Sequence, residues 1–200
     1  AVTVAEDFVA NARALAAAWD PARGAFHREL ATAGAGSATY ATVQSGLNAV
    51  SDALFYLDLV TKDQKLAGPL GVTTACSVAP CSALVESPFA GRSTVNVGAN
   101  LAGFRMLFQG CSGPGDLGFD DLLADVGQAA LAARMVEALD RADGALRAVS
   151  EPALDVAIAR DPQRVWALYD AVKAVTDLLK TEFVSVLDFG RPPEAGTDND

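Results

Sequence analysis

Residues 39–62 read TYATVQSGLNAVSDALFYLDLVTK, a strongly periodic stretch of the chain. Tyr40, Val43, Leu47, Val50, Leu54 and Leu57 step by three and four, the spacing that lines one face of an α-helix. The pattern predicts an amphipathic helix of about six turns from Thr39 to Lys62. Gln44, Asn48 and Asp52 form a separate stripe at spacing four. That stripe reads either as a solvated face or as one wall of a polar pocket.

The same period recurs on both sides. Upstream, Val4, Phe8, Leu15 and Trp19 fall on a helical stripe with alanine between them, and Asp20-Pro21 stops that helix. Glycine punctuates Ala22 to Gly36, which reads as a short helix or loop around Phe26 to Leu30. Downstream, a long irregular loop runs from Lys65 to Arg92 and feeds a helix from Ser93 to Phe108. Val97, Leu101, Phe104 and Phe108 form its apolar side, and Ala99, Ala102 and Gly103 leave room for a close neighbour. The run Gly110-Cys111-Ser112-Gly113-Pro114-Gly115 is a break.

A short helix follows from Leu117 to Val126, then a longer one from Gln128 to Val149, with Pro152 as an interruption. Asp161-Pro162 opens the last helix with an N-cap and a first-turn proline. Val165, Leu168, Val172, Val175, Leu179 and Val186 face inward there, with Asp170, Lys173, Asp177 and Lys180 on the outer side. No stretch alternates as a strand does. The expected fold is therefore all-α, a four-helix up-and-down bundle over residues 1–190 with short accessory helices and one long ordered loop. Residues 191–200, RPPEAGTDND, read as a polar, fraying tail.

Composition narrows the function classes. The 200 residues are 51% hydrophobic and 20% charged, which is globular usage, and the net charge is −10. That charge argues against non-specific nucleic-acid binding and against anionic membrane surfaces. No apolar run approaches the roughly 20 residues of a membrane span. No signal peptide is legible, so the chain is read as a mature form or an excised piece. Cys76 and Cys81 lie in a Ser/Pro/Ala loop without histidine, which favours a local disulfide and an oxidising compartment over a zinc site. Cys111 is the odd thiol.

The catalytic inventory is thin. His27 is the single histidine, no serine sits in a nucleophile elbow, and GCSGPG lacks the lysine-serine pair of a phosphate loop. The bundle has no paired Glu-x-x-His motif of the di-iron type. Asp120-Asp121 and Asp198-Asn199-Asp200 offer hard oxygen ligands without the spaced carboxylates of a calcium loop. What remains is the segment Glu86-Ser87-Pro88-Phe89-Ala90-Gly91-Arg92-Ser93 and the helix after it. Ser93, Asn96 and Asn100 share one helical face. Together with Lys65, Glu86, Ser87 and Arg92, and with Asp52 within reach if the loop folds back, they make a candidate ligand-binding set. The alternative is a salt-bridge set that pins the loop.

The order of these signatures resembles the imelysin family, in its branch of predicted periplasmic lipoproteins. The matching elements are Lys65-Leu66, Gly68-Pro69-Leu70-Gly71, the cluster from Glu86 to Ser93, Asn96, Asn100-Leu101, Gly103-Phe104-Arg105 and Gly118-Phe119-Asp120-Asp121-Leu122-Leu123. The Asn/Asp-rich end completes the set. The resemblance implies a family of two joined helical bundles, of which this chain looks like the second. The partner it implies is the N-terminal imelysin bundle, in the same or another chain, with any lipid anchor on that part. It implies a place in the periplasm or at the outer membrane, in the uptake of iron or another divalent cation. The family name also implies a metallopeptidase, and a structural interaction domain is a third reading. The family's G-x-H-x-x-E motif belongs to the first bundle, and Gly24 to Glu29 has a different spacing and is not assigned to it.

Overall fold

The computed structural model describes residues 2–73, 79–111 and 116–196. Ten α-helical segments, two π segments and two 3-10 turns follow one another, with no strand among the described residues. They fall into two compact units, Ala1–Val50 and Ser51–Asp200.

The first unit holds α1 (Val2–Ala18), α2 (Ala25–Ala31) and the start of α3 (Val43–Leu54). No residue of α1 is buried, and Phe8 and Leu15 on its apolar stripe stay exposed. Trp19 stacks on Phe26 at 6.1 Å between ring centroids. Glu29 shapes the turn that leads to α3. Its Oε2 accepts from the Ser37 hydroxyl at 2.8 Å and from the backbone amides of Ala38 and Thr39 at 2.7 and 3.0 Å. The Ser37 bond is the main reason that this carboxyl titrates below its usual range, and the Thr39 amide adds to it. α3 therefore starts at Val43, four residues later than the periodicity predicts.

The second unit is a four-membered bundle, in agreement with the expected all-α class. Its first member is the end of α3 extended by a π segment, Leu57–Ala67, and by α4 (Gly68–Leu70). The second is α5 (Ser93–Gln109), the third α7 (Ala129–Ala148). The fourth is α9 (Pro162–Leu178) with a second π segment, Leu179–Phe183, and α10 (Val184–Val186). Each packs on the next in chain order, and α9 closes the ring against the first π segment. α6 (Phe119–Asp125) and α8 (Leu154–Arg160) brace α7 and α9.

Leu66, Val97, Leu101, Met135, Leu139, Val172 and Phe183 meet at the centre with almost no exposure. Each such side chain stabilises the fold by roughly 1.5–3 kcal/mol through burial. Phe108, Phe119, Phe183 and Phe189 form an aromatic cluster, with Phe119 edge-on to Phe183 at 5.4 Å. The chain reaches that cluster through a tight return at Gly118, where a Cβ would lie 2.3 Å from the Phe108 carbonyl oxygen. Only glycine fits there.

Further sequence expectations change. The helix from Thr39 does not end near Lys62. It widens into i→i+5 geometry, with the Gly68 amide donating to the Asp63 carbonyl, and stops at Gly71, whose φ of 79° is the left-handed ending that glycine favours. Lys65 therefore lies in the bundle and not in the loop. Lys180 is not on the outer side: it follows the buried Val172 and Thr176 at spacing four, at the start of the second π segment, and is 8% exposed. The tail does not leave the fold at residue 190, because Pro193–Gly196 forms a 3-10 turn against the first π segment and buries Ala195.

Candidate functional site

Lys65 stands at the centre of the candidate site. Its Nζ donates to Asn100 Oδ1 at 2.8 Å and pairs with Glu86 Oε1 at 3.2 Å. It also lies 5.3 Å from the centroid of the Tyr56 ring, within the range of a cation–π contact. Three elements thus converge: the π segment brings Lys65, the loop end brings Glu86, and α5 brings Asn100. One helical turn earlier, Asn96 Nδ2 donates to Ser87 Oγ at 3.3 Å. Ser87 takes a positive φ of 54°, and its carbonyl accepts from the amides of Ala90 and Gly91, so the turn is tightly determined. The second oxygen of Glu86, Oε2, is buried and accepts no hydrogen bond from a described residue. Beside this cluster a groove of about 190 Å³ is lined by Ala53, Tyr56, Asn100, Gly103 and Leu107. Gly103, expected to admit a neighbouring helix, meets nothing within 4 Å and leaves the groove open.

The other expected members stand elsewhere. Ser93 is buried, and its hydroxyl accepts from the Leu154 amide at 2.7 Å, so it joins α5 to the start of α8. Arg92 is exposed at the N-cap of α5, and Phe89 is fully exposed at the turn. Asp52 does not approach Lys65. It lines a different groove with Pro192, Pro193 and Glu194. Partial burial there, reinforced by the charge of Glu194, raises its pKa. Asp121 caps α6 by accepting from the Gly118 amide at 3.0 Å, and Asp120 accepts from the Asp121 amide. Burial raises the Asp120 pKa. Among the described residues no group of three His, Cys, Asp or Glu side chains stands close enough to hold a metal ion. Cys81 is disulfide-bonded and Cys111 is free and exposed. Cys76 and Asp198-Asn199-Asp200 lie outside the described residues.

A buried ionic core next to the site has no counterpart in the sequence reading. Asp58 and Lys62 are fully buried, 3.3 Å apart. Lys62 also reaches Asp63 at 2.9 Å, and Lys180 approaches Asp58 at 3.5 Å from the second π segment. Burial is the largest influence on Lys62 and pushes its pKa down. The hydrogen bond to Asp63 and the charges of Asp58 and Asp63 outweigh it, so the pKa ends above the ordinary lysine value and the group stays charged. The only signal in sequence was the pair Asp58 and Lys62 at spacing four, which ordinarily marks a solvated salt bridge.

The sequence model described as Imelysin matches residues 1–181. No curated protein and no solved structure matches the chain.

Proposed function

We propose, for a chain that belongs to the imelysin family, a non-enzymatic role in the acquisition of iron or another cation. In this reading the bundle supplies one polar wall of a binding site that a second helical bundle, of the same or another chain, completes. The observation that carries it is the state of Glu86. One of its oxygens faces Lys65, and the other is buried without a hydrogen-bond donor among the described residues. A buried acceptor in that state costs about 1–3 kcal/mol or more, which an incoming cation or donor group offsets.

The described residues do not fit an iron ion on their own. Glu86 is one carboxylate, with an ammonium 3.2 Å away, whereas a hard cation takes roughly six oxygen ligands. A wall completed from outside meets that requirement, and a self-sufficient metal centre does not. The disulfide at Cys81 supports an oxidising compartment such as the periplasm or the outer-membrane surface.

The test is native mass spectrometry of the protein isolated from its source without added metal, beside its Glu86→Gln variant. The expected result is a co-isolated ion or second helical chain whose retention drops in the variant. Equal retention by both proteins removes Glu86 from the site and overturns the reading.

A further inference from the structure

The first π segment serves two faces of the bundle. Asp58 and Lys62 belong to the ionic core, while Lys65 reaches Glu86 and Asn100. Asp58 and Lys65 are seven residues apart. In an α-helix seven residues advance by roughly 700°, which returns a side chain to within about 20° of the starting face. In π geometry, with roughly 4.4 residues per turn, the same seven residues advance by about 570° and leave the two side chains about 150° apart. The register of this segment therefore decides whether Lys65 lies with Asp58 or with Glu86.

Something must hold that register, because π geometry is rare and occurs mostly as single turns. Asp58 is placed to do so. It is the acidic group that lysines of both π segments approach, Lys62 at 3.3 Å and Lys180 at 3.5 Å. Lys62 lies four residues along the same segment, and Lys180 crosses from the fourth member of the bundle. Away from bulk solvent these attractions are screened less than at the surface, and breaking one is more costly there. Thr61 and Thr176, both fully buried, add polar groups to these two helices.

We infer that Asp58 is a positioning residue: paired with Lys62 on its own segment, it is anchored across the bundle by Lys180, and this anchor holds the first π segment in register and so aims Lys65 at Glu86 and Asn100. Its consequence for ligand binding rests on the proposed site, but the positioning itself does not. The ionic core and the site are then one device, in which a contact with the second π segment governs the geometry of the loop end.

The test measures the coupling between Lys65 and Glu86 by a double-mutant cycle, Lys65→Met and Glu86→Gln, in urea denaturation. It is run in the wild-type background, in Asp58→Asn and in Lys180→Met. General destabilisation shifts all four corners of a cycle together and leaves the coupling unchanged, so a merely structural role of Asp58 does not produce the expected result. In the wild type the coupling is expected as a factor of about 2–5 in the unfolding constant, the upper range for partly exposed pairs. In Asp58→Asn it is expected to fall to about 1. Lys180→Met keeps the Asp58–Lys62 pair and is expected to lower the coupling as well, and it decides the matter if Asp58→Asn does not fold. Undiminished coupling in the folded variants overturns the inference. Because no ligand enters this assay, its failure is distinguishable from the failure of the cation-retention test.

Discussion

Replacing Ser93 with alanine separates a structural role from a ligand-binding one. The Ser93 hydroxyl accepts from the Leu154 amide at 2.7 Å, and both residues are almost fully buried. Leu154 opens α8, so its amide is one of the helix-start donors that have no intrahelical partner. Alanine removes one oxygen and leaves that amide inside the protein without an acceptor. The penalty for an unsatisfied buried group of this kind is about 1–3 kcal/mol. In a domain of this size 1 kcal/mol moves the melting temperature by about 2–4 °C, so the expected drop is about 2–12 °C. The neighbouring bond from the Thr94 amide to the Pro152 carbonyl, at 3.0 Å, remains and keeps the damage local. Calorimetry gives the melting temperature, and urea titration followed by circular dichroism gives the stability. The same variant is expected to retain co-isolated cation as the wild type does. A melting temperature within about 1 °C of wild type refutes the reasoning, as does normal stability combined with lost cation.

Lys62→Met removes the ammonium shared by Asp58 and Asp63 and is expected to cost about 3–5 kcal/mol, because it leaves Asp58 buried with only part of its counter-charge. The folded pKa of Lys62 lies above its ordinary value of 10.5, so its contribution is complete below that pH and is lost as pH rises through the folded value. Urea midpoints taken from neutral into alkaline pH should therefore fall more steeply for wild type than for the variant, and equal slopes contradict the assignment. Gly118→Ala sets a Cβ 2.3 Å from the Phe108 carbonyl oxygen and 2.6 Å from the Gly110 nitrogen, both backbone atoms. The return onto the aromatic cluster then has to shift, at about 1–3 kcal/mol, and a wild-type thermal melt counts against that account.

Much of the fold was legible because helix periodicity is a local property. Val97, Leu101, Phe104 and Phe108 were expected inward, and all four are buried on α5. The same holds for Val165, Leu168, Val172, Val175 and Leu179 on the fourth member of the bundle, whereas Val186, expected inward with them, is exposed. Of the candidate site, Lys65, Glu86 and Asn100 come together, and Ser87 pairs with Asn96 beside them. Ser93 and Asp52 were indistinguishable from these by residue type. A serine at a helix start looks the same whether its partner is a ligand or a distant amide.

Residue order alone established that the chain is helical, where most of its apolar faces run, and which polar segment interrupts them. These follow from side-chain spacing and from glycine and proline, which act over a few residues. Which way Lys65 points, and that Lys180 is buried among charges, came from the packing of distant segments. An α-period reading extrapolates each helix at roughly 100° per residue, and the first π segment resets that phase ahead of Lys65. What holds the reset register is a set of charges that lie apart in the chain: Asp58 and Lys62 on one segment, Lys180 on another. No local pattern encodes a contact between residues so distant, and so a lysine that looked solvated became part of the core.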